Sequence, residues 1–87
     1  MRRRVVVQGR VQGVGFRYAI ARAARTRGLC GWVTNRRDGT VEAVFEGDPD
    51  AVDSLVRLCR EGPRGAEVDH ADVVDEDAEG LAGFEIR

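Results

Sequence analysis

The sequence predicts an α+β fold in the order β-α-β-β-α-β, with two helices covering one face of an antiparallel sheet. Three observations point there. Short valine-rich or alternating segments recur along the chain. Two stretches of helical periodicity separate them. "RDGT", Arg37 to Thr40, joins two of the strands through a tight hairpin signal, because Asp38-Gly39 tolerates positive φ.

Arg4 to Gln8 reads as the first strand, built on Val5, Val6 and Val7. Phe16 to Arg27 reads as a helix, with Phe16, Ile20, Ala23 and Ala24 toward one face, and Gly28 in place for a left-handed cap. Leu29 to Arg36 is the second strand. Thr40 to Glu46 is the third, with Val41, Ala43 and Phe45 on one side and Glu42, Val44 and Glu46 on the other. Asp48 caps the next helix with Pro49 at its first position. Val52, Leu55, Val56 and Cys59 make its apolar stripe, and Gly62-Pro63 ends it. Glu67 to Asp75 is a fourth strand whose Val68, Ala71 and Val73 slip out of strict alternation, as a bulge would cause. An acidic turn over Asp75 to Gly80 leads to a last short strand, Gly83 to Arg87, with Phe84 and Ile86 facing in. This order is the split βαβ, or ferredoxin-like, arrangement.

Eighty-seven residues make one domain, 1–87, with a single small core. No apolar run approaches the roughly 18 residues that span a bilayer. "MRRRVVVQGR" has too short an apolar stretch for a signal peptide. A cytoplasmic protein with no membrane partner is expected. Cys30 and Cys59 have no metal or redox spacing and are expected reduced and buried.

The net charge of −1 hides an asymmetry. Residues 1–37 hold ten arginines and no acid; residues 38–87 hold four arginines and all 15 acids. Either the basic part attracts a polyanion such as RNA, or the two parts interleave on folding and leave one local positive site.

"GRVQGVGFRY", residues 9 to 18, is the richest local signal. A loop running into a helix start presents unpaired amides, and the helix dipole adds positive potential. Glycines let those amides turn inward as an anion nest. Arg17 follows at once, and its planar fork suits two phosphate oxygens. The bland alternative is a tight turn beside a solvated arginine. The stretch is neither a GxxxxGK[ST] loop nor a full GxGxxG fingerprint. Asn35, near the end of "GWVTNRR", is the second candidate. Its amide can hold a water and touch a substrate oxygen together, or it simply begins the turn.

"VQGRVQGVGFR" (Val7 to Arg17) and "GWVTNRRDGTVEAVFEG" (Gly31 to Gly47) resemble the two signature stretches of acylphosphatases, and "GFEIR" resembles that family's last strand. The resemblance runs over essentially the whole chain. It implies a small ferredoxin-like enzyme that hydrolyses the carboxyl-phosphate bond of acylphosphates without a metal or cofactor. The phosphate-cradling loop then falls on Gln12, Gly13, Val14, Gly15, Phe16 and Arg17, the catalytic arginine on Arg17, and the water-orienting asparagine on Asn35. Gly15 and Thr34 depart from bulkier residues common in the family, and are expected to loosen the loop and to change edge contacts. The expected partners are a small acylphosphate and, in competition, inorganic phosphate or sulfate. A related domain occurs fused within larger carbamoyl-transfer maturation proteins; the length here points to a free-standing enzyme, and with no exposed apolar stripe a monomer is expected.

Two other classes compete. One is a non-catalytic, anion-binding regulatory module. The other is an RNA-binding domain of the same element order, but such domains stack bases on aromatics of their central strands. Here Phe45 is expected to face the helices, leaving Glu42 and Glu46 to repel phosphate, so nucleic acid is not the expected partner. His70 and the acids Asp72, Asp75, Glu76, Asp77 and Glu79 read as surface and turn residues. Trp32 reads as packing on the sheet, Tyr18 as packing near the loop, and Arg2 to Arg4 as a fraying start.

Overall fold

The computed structural model describes all residues, 1–87. The elements are β1 (Arg2–Arg10), α1 (Phe16–Thr26), β2 (Cys30–Asn35), β3 (Val41–Glu46), α2 (Pro49–Glu61), β4 (Glu67–Glu76) and β5 (Phe84–Ile86). The sheet order is β4-β1-β3-β2-β5. All neighbours are antiparallel except β2 and β5, so the sheet is mixed at that edge. Both helices lie on one face. No helix is long and apolar enough to cross a membrane.

Strand parity builds the core. Val5 and Val7, Val33, Val41, Ala43 and Phe45, and Phe84 point to the helix side and are buried. Phe16, Ile20, Ala21 and Ala24 of α1 and the Val52, Leu55, Val56, Cys59 stripe of α2 close over them. Ala21 takes the buried position expected of Ala23, which is only half-buried. Cys59 is sealed in this core, and burial pushes its thiol up to about 12. Cys30 is free but only half-buried, because its parity sets it on the side of the sheet away from the helices. The slip in β4 is a register shift opposite Gln8 and Gly9. A Cβ on Gly9 would lie 2.2 Å from the Glu67 carbonyl oxygen, so only glycine permits this close pairing.

Local signals set the helix ends. The Asp48 carboxylate accepts the amides of Asp50 and Ala51 at the start of α2. Gly28 (φ 69°) follows α1, and its amide returns to the Arg25 carbonyl.

The start of β1 corrects two expectations. Arg2 to Arg4 do not fray; β1 begins at Arg2, whose side chain is among the most buried charged groups. Arg2 pairs with Glu46 (2.7 Å) and Glu76 (2.8 Å), Arg3 with Asp75 and with Asp53 of α2, and Arg4 with Glu76 and Glu42. Glu76 is therefore a half-buried ion-pair partner within β4, not a solvated turn charge, whereas Asp75, also in β4, pairs with Arg3 but stays exposed as expected. Val44, outward by parity, is still fully buried. Its cross-strand neighbours are Arg4 and Trp32, and the Arg4 guanidinium stands 5.5 Å from the Trp32 ring centroid. The basic and acidic parts of the sequence thus interleave, and Glu42 and Glu46 are already engaged by arginines. His70 is a surface residue paired with Asp72.

Candidate active site

β1, β2 and β5 run in the same direction, so the ends of all three meet at one end of the sheet. The segment leaving β1 turns there into α1. Gly13 (φ 73°) and Gly15 (φ 78°) take left-handed backbone, and an added Cβ at either would meet nothing within 4 Å. Dihedral strain, not space, therefore selects glycine at these two turns. Gly15 is the N-cap of α1 and offers no side-chain cap; no backbone hydrogen bond outside the regular elements is donated from between Val11 and Tyr18. The loop and first-turn amides are left without protein partners, and the first turn carries no acid.

β2 reaches the same place by parity. Gly31, Val33 and Asn35 all point to the helix side, and Asn35 is the last of them. β1 and β2 are not adjacent, because β3 lies between them. The gap is bridged by Gln12. Its side-chain amide donates to the carbonyls of Arg36 (2.7 Å) and Thr40 (2.9 Å), pinning the glycine loop to the β2–β3 hairpin beside Asn35. The hairpin itself is closed by Arg36 and Thr40 and by Asp38, which accepts the Thr40 hydroxyl and amide. Those bonds, the hydroxyl first, hold the Asp38 carboxyl below its ordinary value.

A pocket of about 170 Å³ results, lined by Val11, Gly13, Gly15, Phe16, Arg17, Tyr18 and Asn35. It contains no carboxylate and no histidine. Of the residues singled out in the sequence, Gly13, Gly15, Phe16, Arg17 and Asn35 come together on its wall. Gln12 and Val14 are not on that wall; the Gln12 side chain is engaged with the hairpin, and Val14 packs against the core. Arg17 Nη1 donates to the main-chain oxygen of Arg87 at 3.2 Å. The Thr34 hydroxyl donates to the same oxygen at 3.1 Å, and the Arg87 guanidinium stands 4.9 Å from the Trp32 ring centroid. Thr34, Trp32 and Arg87 thus brace Arg17 from the edge of β2, a role with no local signal in sequence. Tyr18, expected to pack near the loop, instead stands 74 % exposed at the pocket wall.

Asn35 carries the most informative irregularity. Its Oδ1 is buried and has no hydrogen-bond partner in the protein. Such an orphan costs about 1–3 kcal/mol unless something occupies it. A wider, shallower hollow of about 490 Å³ lies along α2, between Arg3, Asp50, Asp53, Val56, Arg57 and Arg60. It has no free amides, and two carboxylates stand in it beside the cations.

Fold and site together define a small α+β domain with a glycine-loop pocket, lined by Arg17 and Asn35, at the end of its sheet. The acylphosphatase family model matches residues 3–86, and the chain belongs to the acylphosphatase family. An acylphosphatase of Nostoc sp. is 53% identical over 87 residues, covering 100% of this chain and 86% of that one. The crystal structure of an acylphosphatase from Bacillus subtilis superposes with a TM-score of 0.93 at 41% identity, covering 99% of this chain and 97% of that one. An acylphosphatase structure from Coxiella burnetii gives a TM-score of 0.93 at 35% identity, covering 99% and 90%. The chain is an enzyme that hydrolyses the carboxyl-phosphate bond of acylphosphates, releasing a carboxylate and inorganic phosphate.

Proposed function

We propose that the pocket between the glycine loop and β2 is where that hydrolysis occurs. The loop and first-turn amides of Gly13 to Arg17, with the Arg17 guanidinium, bind the phosphoryl oxygens. Asn35 Oδ1 accepts a hydrogen bond from the attacking water, and Asn35 Nδ2 donates to a phosphoryl oxygen. The observation that carries this reading is the buried, unpartnered Oδ1 of Asn35 in the same small pocket as Arg17 and the free amides.

An acylphosphate is already activated, because a carboxylate is a good leaving group. The enzyme needs to place water in line and to neutralise the phosphoryl charge. Water attacks phosphorus as the bond to the carboxylate oxygen breaks. With no carboxylate or histidine on the pocket wall to accept it, the water's proton passes to a phosphoryl oxygen, and dihydrogen phosphate leaves beside the carboxylate. Arg17 and the amides supply the positive charge, so turnover continues with chelator present. Inorganic phosphate or sulfate competes for the same donors. The free thiols and the single closed core fit a monomer working in the cytoplasm.

The test is kinetic. Asn35→Ala should lower kcat by about 10² or more, the scale for losing a positioned polar group, while inhibition by phosphate changes little. Arg17→Lys should weaken phosphate inhibition and turnover together, because an ammonium cannot replace the two-pronged contact. Near-normal turnover in either purified variant contradicts the assigned role.

A further inference from the structure

Tyr18 is the aromatic side chain that the fold does not use. The three phenylalanines are buried and Trp32 lies against the sheet between two arginines, whereas Tyr18 is 74 % exposed. Its hydroxyl takes part in no hydrogen bond within the protein. Yet Tyr18 is one of the residues that line the same pocket as Gly13, Arg17 and Asn35.

The chemistry of the site gives it a place. A volume of about 170 Å³ holds a tetrahedral phosphoryl group and one water, which takes roughly 30 Å³. It does not also hold a bulky acyl group. In-line displacement puts the leaving carboxylate on the opposite side of phosphorus from the water. The water sits at the buried Oδ1 of Asn35, so the acyl group projects toward the open mouth. Tyr18 is the exposed aromatic surface there.

We propose that the Tyr18 ring is the acyl-side subsite. It packs against the face of an aromatic or extended apolar acyl group, and so favours such acylphosphates over acetyl phosphate. The proposal rests on the pocket assignment above and adds the substrate class. An exposed ring contributes through its face, so phenylalanine at this position preserves the preference and alanine removes it.

The experiment compares kcat/KM for benzoyl phosphate and acetyl phosphate in the wild type, Tyr18→Ala and Tyr18→Phe, with the Ki of inorganic phosphate measured for each. The benzoyl-to-acetyl ratio should fall about three- to tenfold in Tyr18→Ala and hold in Tyr18→Phe, with the phosphate Ki within about twofold throughout. An unchanged ratio in Tyr18→Ala overturns the proposal. An equal fall in Tyr18→Phe also overturns it, since the hydroxyl would then be responsible. If phosphate does not compete in the wild type, the pocket assignment itself fails and takes the subsite with it.

Discussion

Gln12 shows how one side chain can join two loops that meet at a site. Its two hydrogen bonds to Arg36 and Thr40 tie the glycine loop to the hairpin that carries Asn35. Each is worth about 1 kcal/mol of stability. Their larger effect is positional, because in-line attack tolerates little displacement of the water. Gln12→Ala should therefore lose roughly 1–2 kcal/mol in chemical denaturation and about tenfold in kcat. Loss of stability with full kcat would mean that the loop holds its register unaided. The residue types were legible in sequence: positive-φ glycines, a fork-shaped cation and an amide in one short pattern. The Gln12 contacts were not, because their partners are 24 and 28 residues away. Gly15, expected to loosen the loop, caps α1 at φ 78°, a conformation that a bulkier side chain would strain.

At the scale of elements, β4 and β5 occupy opposite edges of the sheet, so the chain after Glu76 must cross its end. Glu46, at the end of central β3, catches that crossing midway. Its carboxylate accepts the amides of Glu79, Gly80 and Leu81 and pairs with Arg2. The crossing then delivers β5 to β2, where Arg87 meets Arg17. Removing one member of a buried pair leaves the other unsatisfied. Glu46→Ala should therefore cost on the order of 3 kcal/mol in urea denaturation; a loss under about 1 kcal/mol would show that solvent replaces the latch. Helix ends and the hairpin were readable because their signals are local, as at Asp48, Gly28 and Asp38-Gly39. Arg2 to Arg4 look like a fraying start in sequence because alternation ranks arginine as polar. Their burial comes from carboxylates 38 to 74 residues distant, which no local window contains.

Over the whole molecule, the ion pairs give stability a pH dependence of definite sign. The Glu79 amide first, then the Arg2 guanidinium and the Leu81 and Gly80 amides, hold the Glu46 carboxyl down at about 2 against an ordinary 4.5. A carboxyl depressed on folding contributes fully above its unfolded value and loses that contribution as pH falls through its folded value. Melting temperature should thus fall between pH 4.5 and about 2, with a shallower slope in Glu46→Gln. Equal slopes would place the acid sensitivity elsewhere, for instance at Glu76, which Arg4 and Arg2 also hold low. The same interleaving of charge leaves the pocket at the other end of the sheet without a carboxylate, so its positive potential is not cancelled.

Catalysis in this account comes from one arrangement, in which main-chain donors and Arg17 grip the phosphoryl group while Asn35 aims the water. A crystal structure with bound inorganic phosphate tests it most directly. The anion should lie against the Gly13 to Arg17 amides and the Arg17 guanidinium, with a water between Asn35 Oδ1 and the anion. Phosphate seated elsewhere, or an Asn35 side chain turned away from it, would contradict the account.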